Sequence, residues 1–315
     1  MRFLRLRAWR FPFFHRMIWL LSPLLYFVFS RDLFSSFLPT FFLLLPFLFL
    51  YGAFSVLIND YFDFPFDLAA GKEVEPLSRT EILLLSSLTL SACLGLSFLL
   101  SPSLSFLPLL GLILAFLYSV KGIRLKERGW MGVGTDVGIE FLPLLFSILL
   151  LRLPRWDPDV FLFLLLYISV QLTSQVEHQL KDLERDRRVG LKTLVTERGE
   201  EFGLRLLRFF SSLSFLLLFP LLFWFSSLPW FSPLFLFFLL FSLFHPKWNP
   251  EFPQAHRVSP LFADIFYLFL FQIFPLYLSL LMVWTHPFFL PLLPPILLLD
   301  CRFLFMSWRW IRRWV

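Results

Sequence analysis

The stretch NDYFDFPFD, residues 59 to 67, places one amide and three carboxylates directly after a long apolar run. In an α-helix, at 100° per residue, all four oxygen-bearing side chains fall within an arc of about 100°. Pro65 disfavours helical geometry in the residue before it, so two arrangements stay open for the last carboxylate. It lies either on the helix face or on a loop that returns to that face. The four side chains are those of Asn59, Asp60, Asp63 and Asp67.

A second acidic cluster occurs in the stretch QVEHQLKDLERDRRVGLKTL, residues 175 to 194. Asp182 and Asp186 are spaced i, i+4, so both lie on one helix face. Followed back into the preceding apolar run, the same face carries Gln171, Gln175, His178 and Gln179, whereas Glu177 points elsewhere. Lipid does not tolerate such a polar stripe, so the stripe should face a cavity enclosed by protein.

These oxygen-rich clusters indicate divalent cation sites. Closely spaced carboxylates repel one another and any anionic substrate, and Mg²⁺ removes that conflict because it binds carboxylates together with substrate phosphates. Two nearby segments hold basic residues for an anion: Lys121, Arg124, Lys126 and Arg128, then Arg187, Arg188 and Lys192. The sequence therefore predicts two Mg²⁺ ions, or Mn²⁺ in their place, and a bound diphosphate. A single acidic residue at a helix end would instead be explained as a solvated cap.

The elements that must position these residues are membrane-spanning helices. The chain is 58% hydrophobic, with 46 Phe, 11 Trp and a mean hydropathy of +0.76. A helix needs about 20 apolar residues to cross the hydrocarbon core, and the apolar runs predict an all-α polytopic membrane bundle of about nine transmembrane helices. The predicted spans are 17–30, 33–58, 81–100, 104–118, 131–153, 159–180, 203–227, 229–244 and 261–284.

The first eight spans form two groups of four, followed by a last helix, and each acidic cluster follows the second span of its group. This pseudo-repeat predicts that both clusters face one shared cavity. We expect a basic cytoplasmic N-terminus (1–16), a single transmembrane domain (17–285) and an apolar, Arg-rich tail (286–315). The proline-broken stretch 287–299 is either an interfacial segment or a tenth span. No small-x-small cleavage site follows the first apolar run, which favours an uncleaved first span.

The basic residues are distributed unevenly, and this explains the net charge of +6. With the N-terminus in the cytoplasm, the predicted loops of the opposite side hold only Arg31, Arg152 and Arg155 among the 28 Lys and Arg residues. Apart from the arginines of the tail, the others lie on the cytoplasmic side together with both acidic clusters. This is the positive-inside pattern of multi-pass membrane proteins, so the basicity predicts no nucleic-acid partner.

Three motifs resemble those of the UbiA family of intramembrane prenyltransferases. NDYFDFPFD is similar to that family's N-D-x-x-D-x-x-x-D motif, and DLERDRRVGLKT, residues 182 to 193, is similar to its D-x-x-x-D-R-x-x-G-x-x-T motif. YSVKGIRLKERG, residues 118 to 129, resembles the tyrosine–lysine loop after the fourth helix. The resemblance covers residues 15 to 285 and implies nine helices around a cavity that opens laterally to the lipid bilayer.

The resemblance also implies an activity, in which an allylic prenyl diphosphate gives its prenyl group to a small hydrophobic acceptor and releases pyrophosphate. One metal ion would be held by Asn59, Asp63 and Asp67, with Asp60 beside them, and the other by Asp182 and Asp186. The diphosphate would be bound by Lys121, Arg124, Lys126, Arg188 and Lys192. The residues expected to line the substrate cavity are Tyr118, Gln175 and Gln179. The catalytic residues would be Asp63, Asp182 and His178.

The chain departs from the family pattern at two neighbouring positions. The family commonly has an aspartate where this chain has Gln179, whose amide keeps an oxygen for Mg²⁺ or its water but lacks the charge. The second metal site should therefore be weaker. His178 shares a face with Asp182, so its neutral imidazole could accept a proton from the acceptor. A histidine merely hydrogen-bonded inside the bundle is the alternative. In the basic loop, Lys121 stands three rather than four positions after the tyrosine.

Other questions stay open at the level of sequence. Asp136, Glu140 and Asp264 fall within predicted spans and are candidate functional residues, although the first two could be interfacial. The acceptor could be a quinone-precursor ring, a chlorin or haem alcohol site, or a glycerol-phosphate hydroxyl, all of which are used in the superfamily. A cation transporter would place its carboxylates nearer the membrane midplane. A catalytically silent scaffold would not need both aspartate sets intact.

The charge distribution predicts which side of the membrane carries the acidic clusters. A cysteine introduced in segment 120–130 or 187–198 should react with a membrane-impermeant thiol reagent only from the cytoplasmic side, because the basic loops remain there. Labelling from the opposite side would invert the predicted topology.

Overall fold

A computed structural model describes residues 34–69, 77–151, 157–244 and 274–285, together with positions 254, 258, 287 and 290. Within these residues the chain is helical and has no strand. The helices are α1 (Phe34–Ala69), α2 (Arg79–Leu100), α3 (Phe106–Ser119), α4 (Trp130–Leu150), α5 (Pro158–Arg188), α6 (Leu194–Arg198), α7 (Glu200–Phe225), α8 (Phe231–Phe244) and α9 (Phe274–Thr285). A short 3₁₀ turn, Leu125–Glu127, joins α3 to α4.

The prediction of an all-α membrane bundle is confirmed. Five helices, α1, α2, α4, α5 and α7, are long and apolar enough to cross a membrane, while α3 and much of α9 are shorter apolar helices. Together with α8 they coincide with eight of the predicted spans. The first span, Asp264 and most of the stretch 287–299 lie outside the described residues, so the count of nine stays a prediction.

The two helices that carry the acidic motifs are the longest in the described part of the chain. α1 has 36 residues and α5 has 31, whereas about 20 suffice to cross the hydrocarbon core. In each helix the motif occupies the C-terminal end. α1 continues through Pro39, Pro46 and Pro65, as membrane helices can when neighbouring groups satisfy the backbone that proline leaves without a donor.

A hydrogen bond between α1 and α4 supplies the donor that one proline in α4 lacks. Pro143 in α4 has no N–H for the carbonyl oxygen of Ile139 four residues earlier. The hydroxyl of Tyr51 donates to that oxygen instead, at 2.8 Å. Tyr51 can lie there because α3 has Gly111 beside it, where a Cβ atom would stand 2.0 Å from the tyrosine oxygen. Three helices therefore meet around one buried phenol.

Small side chains allow the other close helix contacts. The face of α2 that packs on α1 carries Ser86, Thr89, Cys93 and Ser97, all buried. Ser169 of α5 donates or accepts a hydrogen bond with Ser214 of α7 at 2.7 Å. Small residues let helix backbones approach closely in lipid, where the hydrophobic effect does not drive helices together. Cys93 is buried in this face and packs there as a small apolar side chain.

We predict that Tyr51 and Gly111 are required for the stability of the bundle. Tyr51→Phe should lower the free energy of unfolding by about 1–3 kcal/mol, because it leaves a buried carbonyl without a donor. Gly111→Ala should be at least as destabilising, since its Cβ would overlap the phenol. Gly95→Ala is the matched control, because a Cβ there meets nothing within 4 Å. Thermal unfolding of the detergent-solubilised protein measures all three. Equal midpoints for Tyr51→Phe and the wild type would contradict the assigned role.

Candidate functional site

The first acidic motif is helical throughout. Residues 59 to 67 belong to α1, and Pro65 lies inside the helix, so Asp67 is on the helix and not on a returning loop. Asp60 and Asp63 are buried, with exposed fractions of 6% and 8%. Asn59 and Asp67 are half-buried. One helix face therefore presents all four oxygen-bearing side chains, as the spacing predicts.

The loop between α3 and α4 brings two basic side chains onto Asp63. Arg124 donates from Nη2 to one carboxylate oxygen at 3.1 Å, and its Nε contacts Glu127 at 2.9 Å. Lys126 contacts both oxygens of the same carboxylate. Arg124 adopts the left-handed backbone conformation (φ 39°), and its guanidinium lies 3.8 Å from the ring centre of Phe66. The predicted anion-binding loop thus meets the first motif through these two residues.

Burial determines the electrostatics of Lys126. Removal from water lowers the pKa of this ammonium group below its usual value, and the negative charge of Asp63 opposes that shift. The carboxylate of Asp63 thus favours the charged form of Lys126, against the effect of burial. Lys121, which the sequence also placed at the diphosphate, is exposed and does not share this environment.

A close backbone approach holds the loop in position. At Gly132, in the first turn of α4, a Cβ atom would stand 2.8 Å from the carbonyl oxygens of Leu125 and Lys126. Only glycine allows the 3₁₀ turn to lie directly on the start of α4, and that contact directs the side chain of Lys126 towards α1. The sequence offered no sign of this contact beyond the glycine itself.

The second acidic motif forms the end of α5. Asp182 and Asp186 are buried, at 9% and 7% exposed, as are Gln175 and Gln179. His178 is exposed, and its Nε2 lies 3.8 Å from a carboxylate oxygen of Asp182. The buried stripe that the spacing predicts is therefore present for four of its members.

The remaining basic candidates lie at the same end of α5. Arg188 ends the helix and Lys192 follows it, and both are exposed. Arg185, which the sequence did not single out, contacts Asp182 at 3.5 Å. These side chains surround the second motif from the solvent side, whereas Arg124 and Lys126 meet the first motif from inside the fold.

The end of α3 ties the two motif helices together. Ser119 donates from its hydroxyl to Oδ1 of Asn59 at 2.8 Å. Its neighbour Tyr118 accepts a hydrogen bond from Nε2 of Gln175 at 3.1 Å. Two consecutive residues thus bind one helix each, which brings both motifs to the same end of the bundle. The sequence analysis did not identify Ser119. The sign that could have identified it is its place beside the motif tyrosine, at the end of a helix.

Three further acids have different surroundings. Glu140 is buried inside α4, and Asp136 on the same helix is half-buried. Glu177 is also buried, away from the polar stripe as predicted, and its Oε1 accepts a hydrogen bond from the backbone N–H of Gln254 at 2.9 Å. Glu177 therefore fastens a later part of the chain to the back of α5.

The donor set fits Mg²⁺ bound jointly with a phosphate ligand. The oxygens belong to carboxylates and one amide, which are ligands that Mg²⁺ prefers. Within the described residues, no group of three or more His, Cys, Asp or Glu side chains forms a complete metal cage by itself. Carboxylates spaced i, i+4 supply a pair of oxygens from each helix. Mg²⁺ characteristically accepts one or two carboxylates and completes its shell with water and phosphate oxygens.

Comparison with known proteins identifies a matching family and several similar proteins. The model of the UbiA prenyltransferase family matches residues 20–263. The chlorophyll synthase of Arabidopsis thaliana is 27% identical over 164 residues, and that of Avena sativa is 28% identical over 167 residues. The aligned part covers 46% of this chain and 40% and 41% of the respective synthases. The chain thus spans about two fifths of the length of these relatives.

Solved structures with the same fold come from Archaeoglobus fulgidus. A UbiA homologue bound to GPP and Mg²⁺ has a TM-score of 0.55 and 18% identity, covering 78% of this chain and 88% of its own. A UbiA homologue bound to Cd²⁺ has a TM-score of 0.59 and 19% identity, covering 88% of this chain and 99% of its own. At these identities the likeness shows the fold.

We predict that the glycine at the start of α4 is needed to hold the basic loop. Gly132→Ala should displace the 3₁₀ turn, because its Cβ would overlap two carbonyl oxygens. Tryptic cleavage after Lys126 and Arg128 should then become faster. Gly134→Ala is the matched control, since a Cβ there meets nothing within 4 Å. Identical cleavage rates for the two variants would show that the glycine does not hold the loop.

Proposed function

Because the chain belongs to the UbiA prenyltransferase family, we propose that it transfers a prenyl group from an allylic prenyl diphosphate to a small hydrophobic acceptor. The reaction takes place inside the membrane bundle, depends on Mg²⁺ and releases pyrophosphate. One observation carries this proposal: the end of α3 bonds to Asn59 of the first motif and to Gln175 on the second motif helix, while Arg124 and Lys126 reach Asp63 from the adjoining loop.

Two solved homologues support the choice of donor and metal. One is described as bound to GPP and Mg²⁺ and another as bound to DMAPP and Mg²⁺. In this chain the first ion would be held by Asn59, Asp63 and Asp67, with Asp60 adjoining, and the second by Asp182 and Asp186. Mn²⁺, which accepts the same oxygen ligands, would serve as a substitute. The bound metal would neutralise negative charge that develops on the leaving diphosphate.

The basic residues complete the diphosphate site. Arg124 and Lys126 pair with Asp63, so their donors already lie beside the first motif. We infer that these donors turn to the diphosphate when it binds, because a polyanion attracts them more strongly than one carboxylate does. The exposed Lys121, Arg188 and Lys192 would reach the same group from the solvent side. An arriving anion would also stabilise the charged form of the buried Lys126.

The bond changes follow from this placement. The bond between C1 of the prenyl group and the diphosphate oxygen breaks, and its electron pair leaves with the diphosphate. An electron pair of the acceptor forms the new bond to C1, and the acceptor loses a proton. His178 is the group we assign to take that proton, because its imidazole stands beside Asp182 and is exposed. Tyr118 and Gln175, joined to each other, and Gln179 would border the substrate.

The orientation and the acceptor belong to the same proposal. The basic loops beside both motifs support a site on the cytoplasmic side, by the positive-inside pattern. The resemblance to chlorophyll synthases makes a chlorin one acceptor to include, beside a quinone-precursor ring and a glycerol-phosphate hydroxyl. A panel of these three with GPP, DMAPP and a longer donor would identify the class. Cation transport without pyrophosphate release, or no reaction with any pair, would support the transporter or the silent scaffold.

We predict that activity requires the divalent metal and both motifs. Excess EDTA should abolish pyrophosphate release by the purified protein, and Mg²⁺ or Mn²⁺ should restore it, since the carboxylates otherwise repel the donor. Asp63→Ala and Asp182→Ala should each lower turnover at least ~10²-fold, the scale for loss of electrostatic stabilisation at a leaving group. The matched control is Glu184→Ala, which removes an exposed carboxylate between Asp182 and Asp186. Full turnover in EDTA, or near-normal turnover in the aspartate variants, would refute the assignment.

We predict a separate effect for the histidine beside the second motif. His178→Ala should lower acceptor-dependent turnover about 10²-fold, the usual range for loss of a proton acceptor. Donor affinity and the Mg²⁺ requirement should persist, because Asp182 and Asp186 remain. Lys181→Ala, an exposed change on the same turn, is the control. An unchanged transfer rate, or loss of donor binding instead, would show that His178 does not act on the acceptor.

A further inference from the structure

Gln179 is buried one turn before Asp182, yet its side-chain oxygen is turned to the next helix. It is 6% exposed, and Oε1 accepts a hydrogen bond from the backbone N–H of Val195 at 3.2 Å. Val195 is the second residue of α6, so this N–H has no partner within its own helix. The oxygen that the sequence left available to Mg²⁺ or its water therefore caps α6.

α6 depends on such outside support. It has five residues, Leu194–Arg198, and a helix of this length does not form by itself because nucleation is unfavourable. Thr193 caps the N–H of Thr196 with its hydroxyl at 3.3 Å. Gln179 caps the N–H of Val195, so two of the free groups at the start of α6 are satisfied by side chains. One of those side chains comes from the middle of the second motif helix.

α6 is packed between three other parts of the protein. Leu194 and Val195 are buried, and Val195 joins an apolar cluster with Leu180 of α5 and Leu207 of α7. At Gly203 a Cβ would stand 2.8 Å from Leu180 and 3.0 Å from Val195, so α7 approaches closely as well.

The third neighbour of α6 is the end of the basic loop. A Cβ at Gly129 would lie 3.8 Å from the carboxylate of Glu197 and 3.9 Å from Leu194. Gly129 directly precedes α4, in the loop that carries Arg124 and Lys126. α6 thus fills the space between the second motif helix and the loop that serves the first motif.

The chain between the second motif and α6 is held at both ends. Leu191 donates its backbone N–H to the carbonyl oxygen of Asp186 at 2.9 Å. Thr193 begins the cap of α6. Lys192, a proposed diphosphate ligand, lies between these two attachments. Its position therefore follows from that of α6.

We propose that Gln179 is a positioning residue that fixes α6, and through α6 both Lys192 and the basic loop, relative to the second aspartate motif. It does not ligate the second metal ion. This inference rests on the proposed prenyl transfer and assigns Asp182 and Asp186 alone to that ion. A neutral amide suits the position, because it accepts a hydrogen bond without adding a negative charge one turn from Asp182.

The experiment compares three variants of the full chain in detergent. Gln179→Leu keeps the approximate size and removes the acceptor, and Gln179→Glu keeps an acceptor oxygen but adds a charge. Gln171→Leu is the matched control, because it removes a half-buried glutamine two turns earlier on α5. Hydrogen exchange of residues 191–198 is measured without metal or donor. Donor KM, turnover and the Mg²⁺ concentration for half-maximal activity are then determined.

We expect Gln179→Leu to speed exchange at residues 191–198 and to raise the donor KM about tenfold, the scale of one buried hydrogen bond. Its half-maximal Mg²⁺ concentration should stay within twofold of the wild type. Gln179→Glu should protect α6 as the wild type does, and Gln171→Leu should leave exchange unchanged.

A metal ligand would behave differently. If Gln179→Leu raised the Mg²⁺ requirement at least tenfold with unchanged exchange, or Gln179→Glu lowered that requirement, the metal role would stand and the proposal would fail. Unchanged exchange together with an unchanged donor KM would also overturn it. Exchange reports on α6 without any turnover. A wild type that transfers no prenyl group would therefore refute the proposed function, separately from this assignment.

Discussion

Two adjacent side chains at the end of α3 set the geometry on which the site depends. Tyr118 binds α5 through Gln175, and Ser119 binds α1 through Asn59. Neither motif helix is held to the other directly by these bonds, so their separation is fixed by the short piece of α3 between them. The position of α3 is fixed in turn by Gly111, where it passes the phenol of Tyr51. The packing of α3 in the apolar interior therefore also determines the position of the two motif helices at the polar end of the bundle.

The same end of the bundle has to balance charge without bulk water. Asp60, Asp63, Asp182 and Asp186 are each less than one tenth exposed. Buried carboxylates persist only where cations or hydrogen-bond donors compensate them. The first motif receives that compensation from the α3–α4 loop, whereas the second has Arg185 at its rim. The two motifs are therefore alike in sequence but differ in how their charge is neutralised.

Much of this arrangement can be predicted from the sequence, because spacing determines which side chains share a helix face. The spans, the shared helix faces and the burial of Asp182 and Asp186 follow from periods and apolar runs, whereas the helical position of Asp67 was one of two open arrangements. The pairing of Asp63 with Arg124 and Lys126 does not follow from those periods and runs. It depends on a left-handed backbone at Arg124 and on the missing side chain at Gly132, and neither leaves a periodic signal. Gln179 was expected to line the substrate cavity, with an oxygen open to Mg²⁺ or its water. Its bond to α6 could not be predicted, because spacing shows which face a residue occupies but not which neighbour lies within its reach.

The bond from Tyr51 to Ile139 also has a consequence for biosynthesis. Its partners are 88 residues apart in the chain, so at ordinary rates of translation the acceptor emerges about 4 to 18 s after the donor. During that interval α1 enters the bilayer before the hydroxyl of Tyr51 can meet its acceptor on α4. α4 then arrives with one carbonyl left open by Pro143, a group that hydrocarbon cannot solvate. The acceptor helix therefore follows the donor helix out of the ribosome, and its open carbonyl finds a donor once α4 packs on α1.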